Sequence, residues 1–169
     1  MGSRGLKEVT IHITGFKKFR GVAENPTETI VNNLMSFVQS KRLLPPGVTL
    51  GSCTVLETAG DGALAELYKV LESGTSGNGN KKKHVIWFLK TTCSVDAILK
   101  FLKKKGYDAT ISNDAGLSVC NYVYYRSLRF AEQKGHKSLF VYVPLFTRID
   151  EETQMQFVAT LLEAIASTC

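Results

Sequence analysis

One stretch organises the chain: Ser112–Tyr122, which reads SNDAGLSVCNY. A β-prone run at 109–111 precedes the stretch, turn-forming residues lie within it at 113–116, and an amphipathic segment follows at 121–134. Cys120 is therefore predicted to lie close to the start of a helix that follows a strand. The unpaired N–H groups and the positive dipole at a helix start favour the thiolate form of a cysteine, which is the reactive nucleophile. Cys120 is therefore the first candidate for a catalytic nucleophile.

A second interpretation of Cys120 is a small, buried structural cysteine, which is a common use of this residue. Spacing within the stretch does not separate the two interpretations, and both stay open at this point.

The length of 169 residues favours one domain over residues 1–169. Residues 1–8 are expected to be flexible, and residues 73–83, rich in Gly, Ser and Asn, are expected to form a mobile loop. The first residues contain no apolar segment of a secretory signal, and no apolar run approaches the ~20 residues that span a bilayer. A cytoplasmic protein without a membrane partner is therefore expected.

The chain is moderately basic, with a formal net charge of +6. Two lysine runs contribute to this charge, at 81–83 and 103–105. No aromatic residues interleave with them, so a nucleic-acid groove is disfavoured and solvated surface is the simpler interpretation.

The four cysteines give no sign of a metal or redox centre. Their spacing fits neither a zinc site nor a Cys-x-x-Cys pair, and they stand at Cys53, Cys93, Cys120 and Cys169. We therefore expect reduced thiols, no metal and no cofactor.

Hydrophobic periodicity predicts alternating strands and helices along the whole chain. Strands are predicted at 9–14, 48–56, 84–89, 107–112 and 138–143. Helices are predicted from Asn25–Pro26 onward, at 63–72, after Ser94, at 121–134 and after Asp150. This alternation indicates an α/β fold with a mostly parallel central sheet and helices on both faces. In such folds, sites gather at the carboxyl ends of the strands.

Two phenylalanines, Phe16 and Phe19, fall in the loop predicted after the first strand. Large apolar side chains in a loop need a partner. Either they pack beneath the loop as a plug, or they line an apolar pocket. The sequence favours neither.

These residues resemble pyroglutamyl peptidase type I, a family of cysteine peptidases that remove an N-terminal pyroglutamate. The most specific match is Ser112–Tyr125, SNDAGLSVCNYVYY, which is similar to the family's nucleophile segment and places Cys120 on the nucleophile. Thr14–Phe19 with Glu24–Thr27 resembles the family's first loop, in which two phenylalanines line the pocket for the pyroglutamyl ring. The resemblance implies a peptide substrate with an N-terminal pyroglutamate, with Phe16 and Phe19 binding the ring, in a cytosolic enzyme.

The chain departs from that family at its acid–base groups. In the run Phe140–Pro144, which is similar to the strand carrying the catalytic histidine, Tyr142 occupies the histidine position. The segment that bears the family's glutamate and its oxyanion-binding arginine is absent after Leu89. Lys18 replaces a proline of the first loop, and Ser118 replaces a frequent aromatic residue.

These replacements bear directly on catalysis. A positioned acid–base group contributes ~10²–10⁴-fold to rate, and a phenol is a poor substitute because it is neutral at pH 7. The three histidines, His12, His84 and His136, lie in or beside strands away from the carboxyl end, so none is expected to replace the missing base.

The sequence thus predicts a pyroglutamyl-peptidase-type domain with weak activity or none. The alternative is a non-catalytic protein that binds pyroglutamyl or similar peptide ends. A third reading is a shortened and unstable product, and a nucleic-acid binder comes last. Oligomeric state is left open, a homo-oligomer included.

Overall fold

The computed structural model describes residues 8–18, 23–58, 60–73, 91–115 and 119–168. Two strands and five helices occur in these ranges. They are β1 (Val9–Phe16), α1 (Pro26–Ser40), β2 (Val48–Leu56), α2 (Gly60–Ser73), α3 (Val95–Lys104), α4 (Val119–Lys134) and α5 (Glu151–Thr168). No helix in these ranges is long and apolar enough to cross a membrane.

The two strands pair in parallel, from Val9 beside Val48 to Phe16 beside Leu56, with a register shift between Ile11 and His12. A parallel pair needs a crossover, and α1 supplies it. Asn25 caps α1 by accepting a hydrogen bond from the Thr27 N–H at 3.1 Å, and Pro26 occupies the first turn, as predicted.

Helices cover both faces of this pair, which confirms the predicted α/β fold with a parallel sheet. Ile11 and Ile13 pack against a cluster that α1 and α5 build on one side. Phe16, of opposite parity along β1, packs on the other side against α2 and α4. The alternation of side chains along a strand therefore sends successive residues into two different cores.

The segment 138–143 shows the same alternation, although it is not assigned as a strand. Leu139 and Val141 pack against α3 and α5, whereas Phe140 packs against the same cluster as Phe16, which also contains Cys120. The predicted strand at 107–112 is likewise not assigned. A strand is recognised by its hydrogen bonds to a neighbouring strand, and the central strand predicted at 84–89 lies outside the described residues.

Several boundaries differ from the prediction. The first strand continues two residues past Thr14, and α2 begins at Gly60 rather than Ala63. α4 begins at Val119 rather than Asn121, so Cys120 lies inside its first turn. An apolar stripe marks the buried face of a helix and does not fix where its first turn begins.

Ser94 precedes α3 as predicted, but its side chain makes no capping hydrogen bond. Helix ends are better predicted by glycine: Gly106 and Gly135 follow α3 and α4 with φ of 90° and 71°. The predicted loop at 73–83 begins with Ser73, which closes α2, and its remainder lies outside the described residues, as do residues 1–7.

Candidate functional site

Cys120 lies in the first turn of α4 and is 8% exposed. Its side chain belongs to a buried cluster formed by Phe16, Leu56, Ala63, Leu67 and Val123. The end of β1, the end of β2, α2 and α4 all contribute to this cluster. The structure thereby brings together two residues that the sequence singled out separately, Cys120 and Phe16.

The expectation that Phe16 lies in a loop is wrong. Phe16 is the last residue of β1, pairs with Leu56 and is 8% exposed. The pairing partner is forty residues away in the sequence, so local pattern could not place it. Phe19, the second predicted pocket residue, lies outside the described residues.

Hydrogen bonds join the end of β1 to the start of α1, in a region that we call the Phe16 corner (Phe16, Lys17, Asn25 and Thr27). The Phe16 N–H donates to Thr27 Oγ1 at 3.0 Å, and Asn25 Nδ2 donates to the Lys17 carbonyl at 3.1 Å. A Cβ placed on Gly15 would lie 2.5 Å from the Thr27 carbonyl oxygen. The strand end and the helix start are therefore held too close for any side chain at position 15.

Tyr142 lies within electrostatic range of Cys120, in what we call the Cys120 corner (Ala115, Cys120 and Tyr142). Its hydroxyl donates a hydrogen bond to the Ala115 carbonyl at 2.6 Å, although the residue is 57% exposed. Its ring packs edge-on to Phe140, with centroids 5.0 Å apart. The phenol thus ties the segment at 138–143 to the loop that precedes α4.

Partial burial raises the pKa of Tyr142 above its usual value, and negative charge at Cys120 and Asp114 would raise it further. Both causes oppose formation of a phenolate. Tyr142 therefore stays protonated at neutral pH and acts as a hydrogen-bond donor.

Two of the three histidines lie away from Cys120. His12 Nδ1 is 2.8 Å from Ser52 Oγ between the strands, roughly 13 Å along β1 from Phe16. His136 stacks on Phe130 beyond the far end of α4, roughly 20 Å from Cys120. His84 lies outside the described residues, as does Leu89, where the missing segment would begin.

Sequence reasoning missed three contacts near the site. Thr27 Oγ1 accepts from the Phe16 N–H, the Ala115 carbonyl accepts from Tyr142, and the Arg126 guanidinium contacts two tyrosine rings. Only the contact of Arg126 with Tyr122 could have been predicted from the sequence, because the two residues are four positions apart on a predicted helix.

Solved structures share the parallel α/β fold of this chain. A mutant pyrrolidone carboxyl peptidase from Pyrococcus furiosus aligns with a TM-score of 0.73 and 23% identity, covering 94% of this chain and 99% of that one. The enzyme from Thermococcus litoralis aligns with a TM-score of 0.76 and 22% identity, covering 94% and 93%.

Sequence similarity is concentrated in the second half of the chain. The family model described as pyroglutamyl peptidase matches residues 83–161. The pyrrolidone-carboxylate peptidase of Pyrococcus furiosus is 43% identical over 56 residues, which are 32% of this chain and 27% of that protein. The match therefore spans about a quarter of the curated relative. Residues 83–161 thus match the pyroglutamyl peptidase family, the family that the SNDAGLSVCNY stretch resembles.

Proposed function

We propose that the chain is a pyroglutamyl-peptidase-type cysteine peptidase domain whose turnover is weak or absent. The substrate would be a peptide with an N-terminal pyroglutamate, Cys120 the nucleophile, and Phe16 with Phe19 the contacts to the ring. One observation carries the proposal: in a chain of this family, Cys120 stands in the first turn of α4 and packs in one cluster with Phe16.

Besides the attack of sulfur on carbon, the reaction needs one proton to leave the Cys120 thiol and one proton to reach the departing amine. The Cys120 sulfur would bond to the pyroglutamyl carbonyl carbon, the peptide amine would leave with a proton, and water would then hydrolyse the thioester. The first N–H groups of α4 have no partner within the helix, so negative charge on the reacting oxygen or sulfur is favoured at that end.

Weak turnover follows from Tyr142. A general base must accept the thiol proton, and a neutral phenol whose hydroxyl already donates to Ala115 does not accept it readily. The ~10²–10⁴-fold contribution of a positioned base is therefore missing. A cysteine retains some thiolate at neutral pH, so weak turnover remains compatible with this geometry.

Hydrolysis of a chromogenic pyroglutamyl amide by the purified protein tests the proposal, with Cys120→Ser as the control and a circular dichroism melt to verify folding. Turnover that disappears in Cys120→Ser supports the peptidase assignment. Turnover that persists in that variant would contradict the assignment of the nucleophile.

The alternative is a non-catalytic protein that binds pyroglutamyl or similar peptide ends. The hydrogen bond from Tyr142 to Ala115 favours it, because the position that would hold the base has a structural partner instead. Calorimetric binding of a pyroglutamyl amide, without turnover, distinguishes this alternative. Phe19→Ala should weaken that binding, whereas Phe130→Ala, at the far end of α4, should not. Equal effects of the two variants would contradict the pocket role of Phe19.

We also place the protein in the cytosol. No disulfide joins the cysteines at 53, 93 and 120, which are the ones the structure describes, and this suits a reducing compartment.

A further inference from the structure

Arg126 occupies an unusual position on α4. Its guanidinium carbon lies 5.5 Å from the centroid of the Tyr68 ring on α2 and 6.0 Å from that of Tyr122 on α4. Both distances are within the range of a cation–π contact. Tyr122 and Arg126 share a helix face, and long helical side chains lean toward the N-terminus, which is the end that carries Cys120.

The guanidinium has an unused donor. Its Nε is buried and has no hydrogen-bond partner, and Arg126 forms no ion pair with the residues that the structure describes. By contrast, three lysines, Lys17, Lys41 and Lys105, each contact a glutamate. A partly buried charge without an anion is costly, and the two rings offset that cost only in part.

The chemistry of this arrangement selects the ligand. A guanidinium offers parallel N–H donors in a fixed plane, which match the two oxygens of a carboxylate. Tyr122 is 47% exposed, so the guanidinium lies beside a ring that solvent reaches. An external carboxylate can therefore supply the partner that the described residues do not.

The distance along α4 sets where that carboxylate would stand in a peptide. Six residues separate Cys120 from Arg126, which is about 9 Å along the helix axis. An extended peptide advances about 3.3–3.6 Å per residue. A carboxylate two or three residues beyond the cleaved bond spans this axial rise, and the peptide must in addition curve about 120° around α4 to reach Arg126.

We propose that Arg126, which contacts the rings of Tyr68 and Tyr122, binds a carboxylate carried two or three residues beyond the pyroglutamyl group of a bound peptide. The inference rests on the proposed function and adds a preference for short peptides with a free C-terminus or with an acidic side chain at that position.

The test compares pyroglutamyl-glycyl-glycine with its C-terminal amide, by calorimetry on Cys120→Ser protein so that nothing is cleaved. The acid should bind about tenfold tighter or more, as expected for a charge-assisted pair. Arg126→Gln should bring the ratio of the two affinities close to one. Arg129→Gln, which removes the same charge from the next turn of α4, should leave the ratio intact.

Other outcomes overturn the inference. Equal binding of acid and amide would do so without harming the proposed function, since both peptides would still bind. If neither bound, the proposed function and the inference would fail together. Acetylglycylglycine, which lacks the ring, should bind much more weakly. Binding as tight as that of the pyroglutamyl acid would assign the site to free carboxylates and contradict the inference. Because the acid–amide comparison is made with Arg126 intact, misfolding of a variant cannot hide the result.

Discussion

The Phe16 corner and the Cys120 corner flank the same cluster but are built differently. In the Phe16 corner, side chains of α1 bond the backbone at the end of β1, and Gly15 allows no added atom. In the Cys120 corner, one exposed phenol reaches one carbonyl. In the proposed site, the part that would hold the pyroglutamyl ring is therefore fixed by several contacts, whereas the part that would move protons depends on one hydrogen bond from an exposed residue.

Gly15→Ala should give the largest loss of stability. The new Cβ would meet the backbone oxygen of Thr27 at 2.5 Å, and a backbone atom cannot swing away. We expect a loss of about 2–3 kcal/mol, measured by urea unfolding. Gly51→Ala is the matched control, because its Cβ would meet the ends of the exposed His12 and Thr10 side chains, which can move. If both variants lost the same stability, the rigidity assigned to the Phe16 corner would be wrong.

Removing one hydroxyl from each corner compares them directly. Thr27→Val removes the part-buried hydroxyl that accepts from the Phe16 N–H at 3.0 Å and donates to Asn25 Oδ1 at 2.9 Å, at a cost of about 1–3 kcal/mol. Tyr142→Phe removes a hydrogen bond at an exposed residue and should cost about 1 kcal/mol or less. Thermal unfolding of both variants measures the difference. A larger loss for Tyr142→Phe would reverse the comparison.

Asp150, at the start of α5, belongs to neither corner. Its contribution to stability depends on pH, so it serves as a reference for the two corners. It accepts hydrogen bonds from the Thr153 N–H at 2.9 Å and from Thr153 Oγ1 at 2.7 Å, and these lower its pKa below 3.8. Its ionised form therefore stabilises the fold above pH 3.8, and this contribution disappears as the pH falls through the lowered value. Asp150→Asn should melt at a slightly lower temperature than the parent at pH 7.

The difference between Asp150→Asn and the parent should shrink toward pH 2, where Asp150 itself becomes neutral. Melting curves recorded across this pH range measure it. A difference that did not change with pH would exclude the charge of Asp150 as its cause.

Tyr142→His should have the smallest effect on turnover. A histidine at this position would still lack an acidic group to orient it, so we expect a gain below the ~10²-fold that a positioned base provides. Hydrolysis of the chromogenic amide measures this gain, with Tyr142→Phe as the control. A large gain would mean that the Cys120 corner retains the rest of its acid–base machinery, and that the gap after Leu89 has been misread.

Local chemistry predicted much of the fold. Asn25 and Pro26 predicted the start of α1, and Asp150 predicted the start of α5. Gly135 predicted the end of α4. Helix caps and positive φ act within one turn of the chain, so the local sequence is enough to predict them. The SNDAGLSVCNY stretch predicted a helix from Asn121, just after Cys120, and α4 begins two residues earlier, at Val119.

Contacts between distant residues could not be predicted in this way. Phe16 extends β1 because it pairs with Leu56, and the Tyr142 hydroxyl finds a carbonyl twenty-seven residues earlier. Arg126 gains its second ring, Tyr68, only when α2 packs against α4. Each of these contacts depends on how whole elements meet, which no local spacing encodes.

The position of α5 has a consequence for the order of folding. α5 helps to form the cluster it shares with α1, and Asn33 Nδ2 donates to Glu151 Oε1 at 3.1 Å across 118 positions of sequence. Contacts of such long range are slow to form, because the chain between them must first be closed into a loop. We therefore expect β1, α1 and β2 to associate early and α5 to dock late. A cavity at Leu162 should then speed unfolding more than it slows folding.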